Sequence, residues 1–275
     1  MVVLHTLGGL AVEGAAACDG FLQRPRVLSL LALLAGSGAT GVARDSVLAL
    51  LWPESDTCRA RASLKQLAFQ ARRLGGIPMC VGDGGVVRLD PAGVWVDAWE
   101  LETAARRGDR EAIARVYRGP FVDGFVPPAE LDELGRWIER RRAAFRDQYE
   151  AALTALCTSA TAQGDVDTLV GYRRRLAELD PLSSRAALAL MRVLVTAGDR
   201  PAALAVARDH ARLVRAELDA EPDPSLLRFE RELRRLTGAD VEIARPDAAI
   251  ADLLAERARR PARREEHGEY WLAGD

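Results

Sequence analysis

One stretch decides the fold, residues 57–74: Thr-Cys-Arg-Ala-Arg-Ala-Ser-Leu-Lys-Gln-Leu-Ala-Phe-Gln-Ala-Arg-Arg-Leu. Its apolar residues recur three or four positions apart, which predicts an amphipathic helix that packs on a core by one stripe. The stripe comprises Leu64, Leu67, Ala71 and Leu74. The Gly75-Gly76 pair that follows predicts a left-handed cap at the end of the helix.

The other faces of this helix carry cations, amides and one aromatic ring, and no acidic residue. Arginine and glutamine suit the hydrogen-bonding edges of guanine and adenine, and arginine or lysine suits phosphates. A solvated basic face is the alternative for an isolated helix, so the flanking sequence must decide. Phe69 suits contact with a thymine methyl or packing beneath a neighbouring hairpin. The candidate DNA-binding residues of this helix are Arg59, Arg61, Lys65, Gln66, Phe69, Gln70, Arg72 and Arg73.

The flanking sequence predicts a winged helix-turn-helix domain over residues 1–97. Short strands are predicted within residues 1–27, with one turn at Asp19-Gly20. One helix is predicted from Gln23 to Ala35, and a second begins near Asp45 and is ended by Pro53. The loop 54–57 offers a helix cap, and two apolar runs around the Gly/Asp cluster 82–85 predict a β-hairpin. In this order of elements the third helix enters the major groove. Arg88, on the hairpin, is a further candidate for a phosphate contact, or else a solvated strand residue.

Helical periodicity replaces the strand pattern after residue 97. Helices are predicted from Asp109 to Tyr117 and from Ala129 to Gln163. Gly164-Asp165 and Gly198-Asp199 lie 34 residues apart, and each opens a helix. That period is typical of tetratricopeptide (TPR) helix pairs, which stack and bind other proteins more often than they catalyse reactions. The predicted fold class is therefore mainly α with a small β component: a winged helix over 1–97, an all-α TPR-like domain over 98–237, and a partly ordered tail over 238–275.

Several motifs stand in a characteristic order along both domains. They are Gln23-Arg24-Pro25-Arg26, Arg44-Asp45, residues 50–56 (Leu-Leu-Trp-Pro-Glu-Ser-Asp), residues 61–64 (Arg-Ala-Ser-Leu), residues 72–75 (Arg-Arg-Leu-Gly) and residues 94–100 (Val-Trp-Val-Asp-Ala-Trp-Glu). Together they resemble the OmpR-type winged helix and the bacterial transcriptional activator domain of SARP-type regulators, over residues 1–237. The resemblance implies an activator that binds direct repeats in promoters as a homodimer. It also implies that the loop 52–57 and the helical domain face RNA polymerase.

Composition limits the function classes. The net charge is −2, and residues 1–97 contain nine Arg or Lys and eight Asp or Glu, so DNA binding must rest on local charge. The chain contains a single lysine, Lys65. The three histidines are far apart and no phosphate-loop or nucleophile motif is present, so we expect no metal, no cofactor and no enzymatic activity. The four cysteines, which lack CxxC spacing, favour reduced thiols in the cytoplasm. No signal peptide or membrane span is expected.

Two hypotheses remain open from the sequence. The preferred one is a sequence-specific transcriptional regulator that binds double-stranded DNA through the helix 57–74. The alternative is a TPR-type scaffold whose winged helix does not bind DNA, and it predicts that Asp45, Glu54 and Asp56 neutralise the basic helix. The tail, with its arginine cluster between 257 and 264, is either an additional DNA or partner contact or a weakly ordered end.

Overall fold

The structure, a computed structural model, describes residues 1–14, 24–81 and 85–235. Four predicted features therefore lie outside the described residues: the turn at Asp19-Gly20, the helix start at Gln23, most of the hairpin tip, and the tail from residue 238. By its internal contacts the chain divides into two units, residues 1–156 and residues from 157 onward.

The first unit combines short strands with helices of very different length. The helix predicted at 109–117 is observed at Arg110–Val116, one residue shorter at each end. The helix predicted from Ala129 begins with a 3-10 turn at Ala129–Leu131, and the α-helix follows at Asp132–Gln163. The elements in order are β1 (Val2–His5), β2 (Ala11–Glu13), α1 (Pro25–Gly36), β3 (Val42–Ala43), α2 (Arg44–Leu51), α3 (Thr57–Arg73), β4 (Met79–Val81), β5 (Val86–Leu89), β6 (Val94–Val96), α4 (Asp97–Arg107), α5 (Arg110–Val116) and α6 (Asp132–Gln163), whose last residues belong to the second unit.

The strands of the described residues form two three-stranded sheets. In the first, the order is β2-β1-β6, and β1 pairs antiparallel with β2 but parallel with β6, so that Val3 lies opposite Trp95. In the second, the order is β3-β5-β4 with antiparallel pairing, and Cys80 lies opposite Arg88. The second sheet contains the predicted hairpin, which forms the wing beside α3.

A buried carboxylate fastens the first strand to α4. Asp97 is 3% exposed and accepts hydrogen bonds from the backbone N–H groups of Thr6 and Leu7 at 2.8–2.9 Å. The Thr6 hydroxyl also donates to it, at 2.6 Å. Because a buried charge is tolerated only when it is well hydrogen-bonded, this arrangement fixes where β1 ends and α4 begins. Trp99 extends the same junction by donating its indole N–H to the Ala35 carbonyl at 2.9 Å.

Helix α1 lies in the core of the first unit. Its leucines at 30, 31, 33 and 34 are all at most 1% exposed, as expected for a helix that is apolar on nearly every face. The helix ends at Gly36, where an added Cβ would lie only 2.7 Å from ring atoms of both Phe121 and Trp137. Glycine is therefore needed at this position for close packing, and the aromatic rings close the core at the end of α1.

The second unit contains the predicted repeat. Gly164 and Gly198 both adopt positive φ, +70° and +80°, and the aspartate after each caps the next helix by accepting an N–H three residues on, at 3.0 Å. Leu190, Met191 and Leu194 are buried with residues of the two following helices. The helices are α7 (Val166–Leu179), α8 (Ser184–Thr196), α9 (Arg200–Leu218) and α10 (Pro224–Arg235). The predicted fold class, a winged helix followed by a helical TPR-like domain, is confirmed.

Candidate nucleic-acid interface

Helix α3 forms almost where the sequence predicts it. Asp56 is its N-cap, and the carboxylate accepts the backbone N–H of Arg59 at 3.0 Å. The helix ends at Arg73 rather than Leu74, and Gly76 takes the left-handed conformation with φ of +62°. The helix therefore begins and ends at the predicted signals, the cap in the loop 54–57 and the Gly75-Gly76 pair.

The predicted apolar stripe is only half correct. Leu64 and Ala71 are buried as predicted, whereas Leu67 is half-buried and Leu74 is 37% exposed. The buried stripe of α3 comprises Ala60, Leu64, Ala68 and Ala71. Small alanine side chains let the helix backbone approach the core closely, so the alanines, and not every leucine, mark the inward face.

The buried stripe determines which side chains project outward. At 3.6 residues per turn, Gln66 and Arg73 lie opposite the buried stripe. Arg61, Lys65 and Arg72 form a row along one flank. Of the nine candidate DNA-binding residues, all are exposed except Gln70, which is half-buried. Phe69 is 54% exposed, which is unusual for a phenylalanine and leaves its ring free to meet another surface.

Acidic side chains compensate part of this basic face. Asp45 pairs with Arg61 at 3.6 Å, and Asp56 pairs with Arg59 at 3.8 Å. All four side chains are more than half exposed, so each pair contributes little, about 0.2–1 kcal/mol. Within the described ranges, these cations have no ion pair: Lys65, Arg72, Arg73 and Arg88.

The wing is joined to the start of α2. The backbone N–H of Arg44 donates to the Gly85 carbonyl at 2.6 Å, and β3 pairs with β5. Gly41, with φ of +84°, allows this close approach, because an added Cβ would lie 2.5 Å from the Val87 carbonyl oxygen. Arg44 is thereby held at the side of α3, in a place that the sequence alone did not reveal.

A recess lies between α3, α2 and β4. Its volume is about 430 Å³. Two of its cations, Lys65 and Arg72, are predicted to bind DNA, whereas the third, Arg44, is named from the sequence only as part of the Arg44-Asp45 motif. The recess is lined by Arg44, Lys65, Ala68, Phe69, Arg72 and Val81. The wing strands β4 and β5 carry Cys80 and Arg88, which pair with each other and whose side chains are exposed.

A winged helix with an exposed basic third helix, followed by a helical domain, is the arrangement predicted for a bacterial transcriptional regulator. Residues 96–234, half of the chain, match the family described as "Bacterial transcriptional activator domain". The chain belongs to this family, and the resemblance to SARP-type regulators is confirmed. Members of this class regulate transcription and are not a class of enzymes.

Two curated relatives carry the name "Regulatory protein AfsR". The one from Streptomyces griseus is 28% identical over 231 residues, covering 79% of this chain and 22% of that protein. The one from Streptomyces coelicolor is 28% identical over 265 residues, covering 91% of this chain and 25% of that protein. The chain therefore spans about a quarter of the length of these relatives.

A solved structure has the same fold. It is Mycobacterium tuberculosis EmbR in complex with low affinity phosphopeptide, which matches with a TM-score of 0.50 and 20% identity, over 95% of this chain and 72% of that one. At this identity the likeness concerns the fold alone. None of the described helices is both long and apolar enough to cross a membrane. In the part of the chain that the structure describes, no group of three His, Cys, Asp or Glu residues is placed to hold a metal.

Proposed function

We propose that this protein binds specific sites in double-stranded DNA through α3 and activates transcription from promoters that contain them. The observation that carries the proposal is the set of exposed cations on α3, of which Lys65, Arg72 and Arg73 have no ion pair among the described residues. Such a set is adapted to phosphates, and the neighbouring amides and guanidinium groups are adapted to base edges.

The side of α3 on which each residue lies suggests which part of the DNA it would contact. Gln66 and Arg73, opposite the buried stripe, would meet base edges on the floor of the major groove. Arg61, Lys65 and Arg72, on the flank, would meet the phosphates of one strand. Arg88 on the wing would contact the backbone beside the groove, as wings do in this class of domain. Arg59 and Gln70 lie on the opposite flank from Lys65 and would contribute at that edge of the face. Phe69 would contact a thymine methyl.

The direct test compares a triple variant with a charge-matched control. Genomic fragments bound by the wild type are first selected and footprinted, and affinity for the resulting site is then measured by fluorescence anisotropy. The variant Arg61→Ala/Lys65→Ala/Arg73→Ala should lose about 1–3 kcal/mol for each base contact removed, and about one unit of salt slope for each phosphate contact. The control replaces three exposed arginines on α4 and α5: Arg107, Arg110 and Arg115. Equal binding by wild type and the α3 variant would remove the proposal.

We further propose a homodimer on direct repeats, with RNA polymerase contacted by the loop 52–57 and the helical domain. Mass photometry on duplexes with one or two half-sites tests the dimer, which should form only on two correctly spaced half-sites. In-vitro transcription tests the loop: Glu54→Arg should lower activation while leaving DNA affinity within twofold. An unchanged transcript yield would exclude Glu54 from the polymerase contact.

The scaffold alternative keeps one supporting observation. Two of the three acids that it names, Asp45 and Asp56, pair with arginines of α3. If these pairs silence the helix, the wild type should show no preference among genomic fragments at any salt concentration. The same selection experiment therefore decides between the two functions.

A further inference from the structure

We propose that Arg26 is a positioning residue that holds the loop 52–57 against the 3-10 turn Ala129–Leu131, so that RNA polymerase meets loop and turn as one surface. The inference rests on the proposed contact between this loop and RNA polymerase. It adds to that proposal the side chain that fixes where the loop lies. The sequence alone marks Arg26 only as the last residue of the motif Gln23-Arg24-Pro25-Arg26.

The guanidinium group of Arg26 joins three elements of the first unit. Arg26 lies in the first turn of α1, and one of its Nη groups donates to the carbonyl of Leu51, the last residue of α2. The other Nη group donates to Glu130 Oε1 at 3.2 Å, on the 3-10 turn that precedes α6. The Cζ atom also lies 5.9 Å from the centroid of the Trp52 ring, within the range of a cation–π contact.

Each of these contacts uses a property of the guanidinium group. A carbonyl in the last turn of a helix has no partner within the helix, and the helix dipole favours a cation there. The planar fork of arginine lets one side chain bond a carbonyl and a carboxylate at once, whereas lysine offers a single ammonium group. Because Leu51 and Trp52 already hold the side chain, little further freedom is lost when it meets Glu130.

Arg26 acts at the start of the loop, and other hydrogen bonds order the rest of it. The Trp52 N–H donates back to α2 at 2.8 Å, and the Ser55 N–H donates to the Trp52 carbonyl at 3.2 Å. At the far end, Asp56 caps α3. Glu54 lies between these anchors with an exposed side chain. The place of Glu54 relative to the 3-10 turn therefore depends on what holds the start of the loop.

The contact links the two predicted domains without being a major source of stability. Arg26 belongs to the winged helix, whereas Glu130 lies within the residues 96–234 that match the activator-domain family. The side chains of Arg26 and Glu130 are 38% and 52% exposed, so solvent screens the pair. Exposed pairs of this kind contribute little to the free energy of unfolding. Removal of Glu130 should therefore leave the fold intact and change mainly how firmly the loop is held.

Hydrogen exchange in the full protein measures how firmly the loop is held. Glu130→Ala removes the carboxylate but leaves the Leu51 bond, so peptides that span residues 51–56 should exchange about two- to fivefold faster. The matched control is Glu133→Ala, because Glu133 is also exposed and pairs within α6, with Arg136 at 2.7 Å. This control should leave the exchange of the loop unchanged. Glu130→Gln keeps an acceptor oxygen and should exchange at an intermediate rate.

In-vitro transcription measures the consequence, at protein concentrations that saturate the selected duplex. The polymerase contact can be weakened by no more than the free energy that holds the loop in place, so Glu130→Ala should lower transcript yield by at most about two- to fivefold. A purely structural role would instead lower DNA affinity or thermal stability, and both should equal those of Glu133→Ala. In a Glu54→Arg background, Glu130→Ala should have no further effect on the yield, because both substitutions act through the loop.

A substitution of Arg26 itself should have the larger effect. Arg26→Met also removes the bond to Leu51, so it should lower transcript yield more than Glu130→Ala does. Thermal unfolding establishes whether Arg26→Met retains the fold, and the Glu130 variants keep the test decisive if it does not.

The outcomes separate this inference from the function on which it rests. If Glu54→Arg lowers activation while Glu130→Ala and Glu133→Ala give equal yields, this inference fails and the proposed polymerase contact stands. Equal loop exchange in Glu130→Ala and Glu133→Ala would also overturn it, since Glu130 would then not help to hold the loop. If Glu54→Arg leaves the yield unchanged, the polymerase contact of the loop fails and this inference falls with it.

Discussion

Replacing Asp45 by asparagine should strengthen DNA binding, and the ion pair with Arg61 sets the size of the effect. The two charged groups are 3.6 Å apart, but the side chains of Arg61 and Asp45 are 52% and 83% exposed, so solvent screens the pair. Exposed pairs of this kind contribute about 0.2–1 kcal/mol. If Arg61 must leave Asp45 to reach DNA, removing the pair should lower Kd by about 1.4- to 5-fold, since 1.4 kcal/mol is tenfold.

The same substitution should slightly weaken the fold. Asp45 lies in the first turn of α2, where a negative charge is favoured by the helix dipole by about 0.3–1 kcal/mol. Anisotropy titrations at several salt concentrations measure the gain in affinity, and thermal unfolding measures the loss in stability. The two effects have opposite signs, so a more stable protein cannot be the cause of tighter binding.

A double-mutant cycle shows whether Arg61 carries the gain. In the Arg61→Ala background, Asp45→Asn should give only the small general gain that Glu54→Gln gives, because each removes one negative charge from the same face. A gain of equal size with and without Arg61 would refute the reasoning, since the competition between Asp45 and DNA for Arg61 would then not exist.

Three further predictions concern stability and reactivity. Gly36→Ala should destabilise the first unit by about 1–3 kcal/mol, because its methyl group would overlap two aromatic rings. Hydrogen bonding from Thr168 lowers the pKa of Asp165, and that from Arg215 lowers the pKa of Glu221, so the second unit should lose stability in acid. Burial raises the pKa of the Cys157 thiol, so Cys157 should resist alkylation while the exposed Cys80 reacts.

Each of these has its own measurement. Calorimetry measures the stability of Gly36→Ala and of a control, Gly171→Ala, where nothing lies within 4 Å of an added Cβ. The control should be neutral or stabilising. An equal loss of stability in both variants would contradict the packing argument. Since the lowered pKa values stabilise the fold at pH above the ordinary values of 3.8 and 4.5, denaturant midpoints should fall as the pH drops below those values. Peptide mapping should find Cys157 modified only in denaturant.

The sequence predicted what depends on neighbours along the chain. The cap and glycine signals around α3 and the apolar runs of the wing are local, and the structure has these elements within one residue of the prediction at α3. The Gly-Asp signal of the TPR-like repeat was equally local. It recurs at Gly108-Asp109, where Gly108 has φ of +70° and Asp109 caps α5, although the sequence reading missed this instance.

The sequence did not predict what depends on distant pairing. The parallel pairing of β1 with β6 joins residues some ninety positions apart, and no periodicity reports it. Arg44 lines the recess, and its backbone N–H is bonded to the Gly85 carbonyl of the wing, a contact between residues 41 positions apart. The alanines of α3 are buried while Leu74 is exposed, and a hydrophobicity pattern gives alanine too little weight. The domain boundary at 97/98 stays a prediction.

The bond network of Asp97 has a consequence for how this protein can be cut or recombined. A fragment that stops at residue 96 would keep Thr6 and Leu7 but lose the Asp97 carboxylate, which accepts hydrogen bonds from their backbone N–H groups. Buried donors left without an acceptor cost about 1–3 kcal/mol each, a large share of the stability of a small domain. Exchange of the winged helix between proteins, in the laboratory or in evolution, should therefore carry α4 along with it.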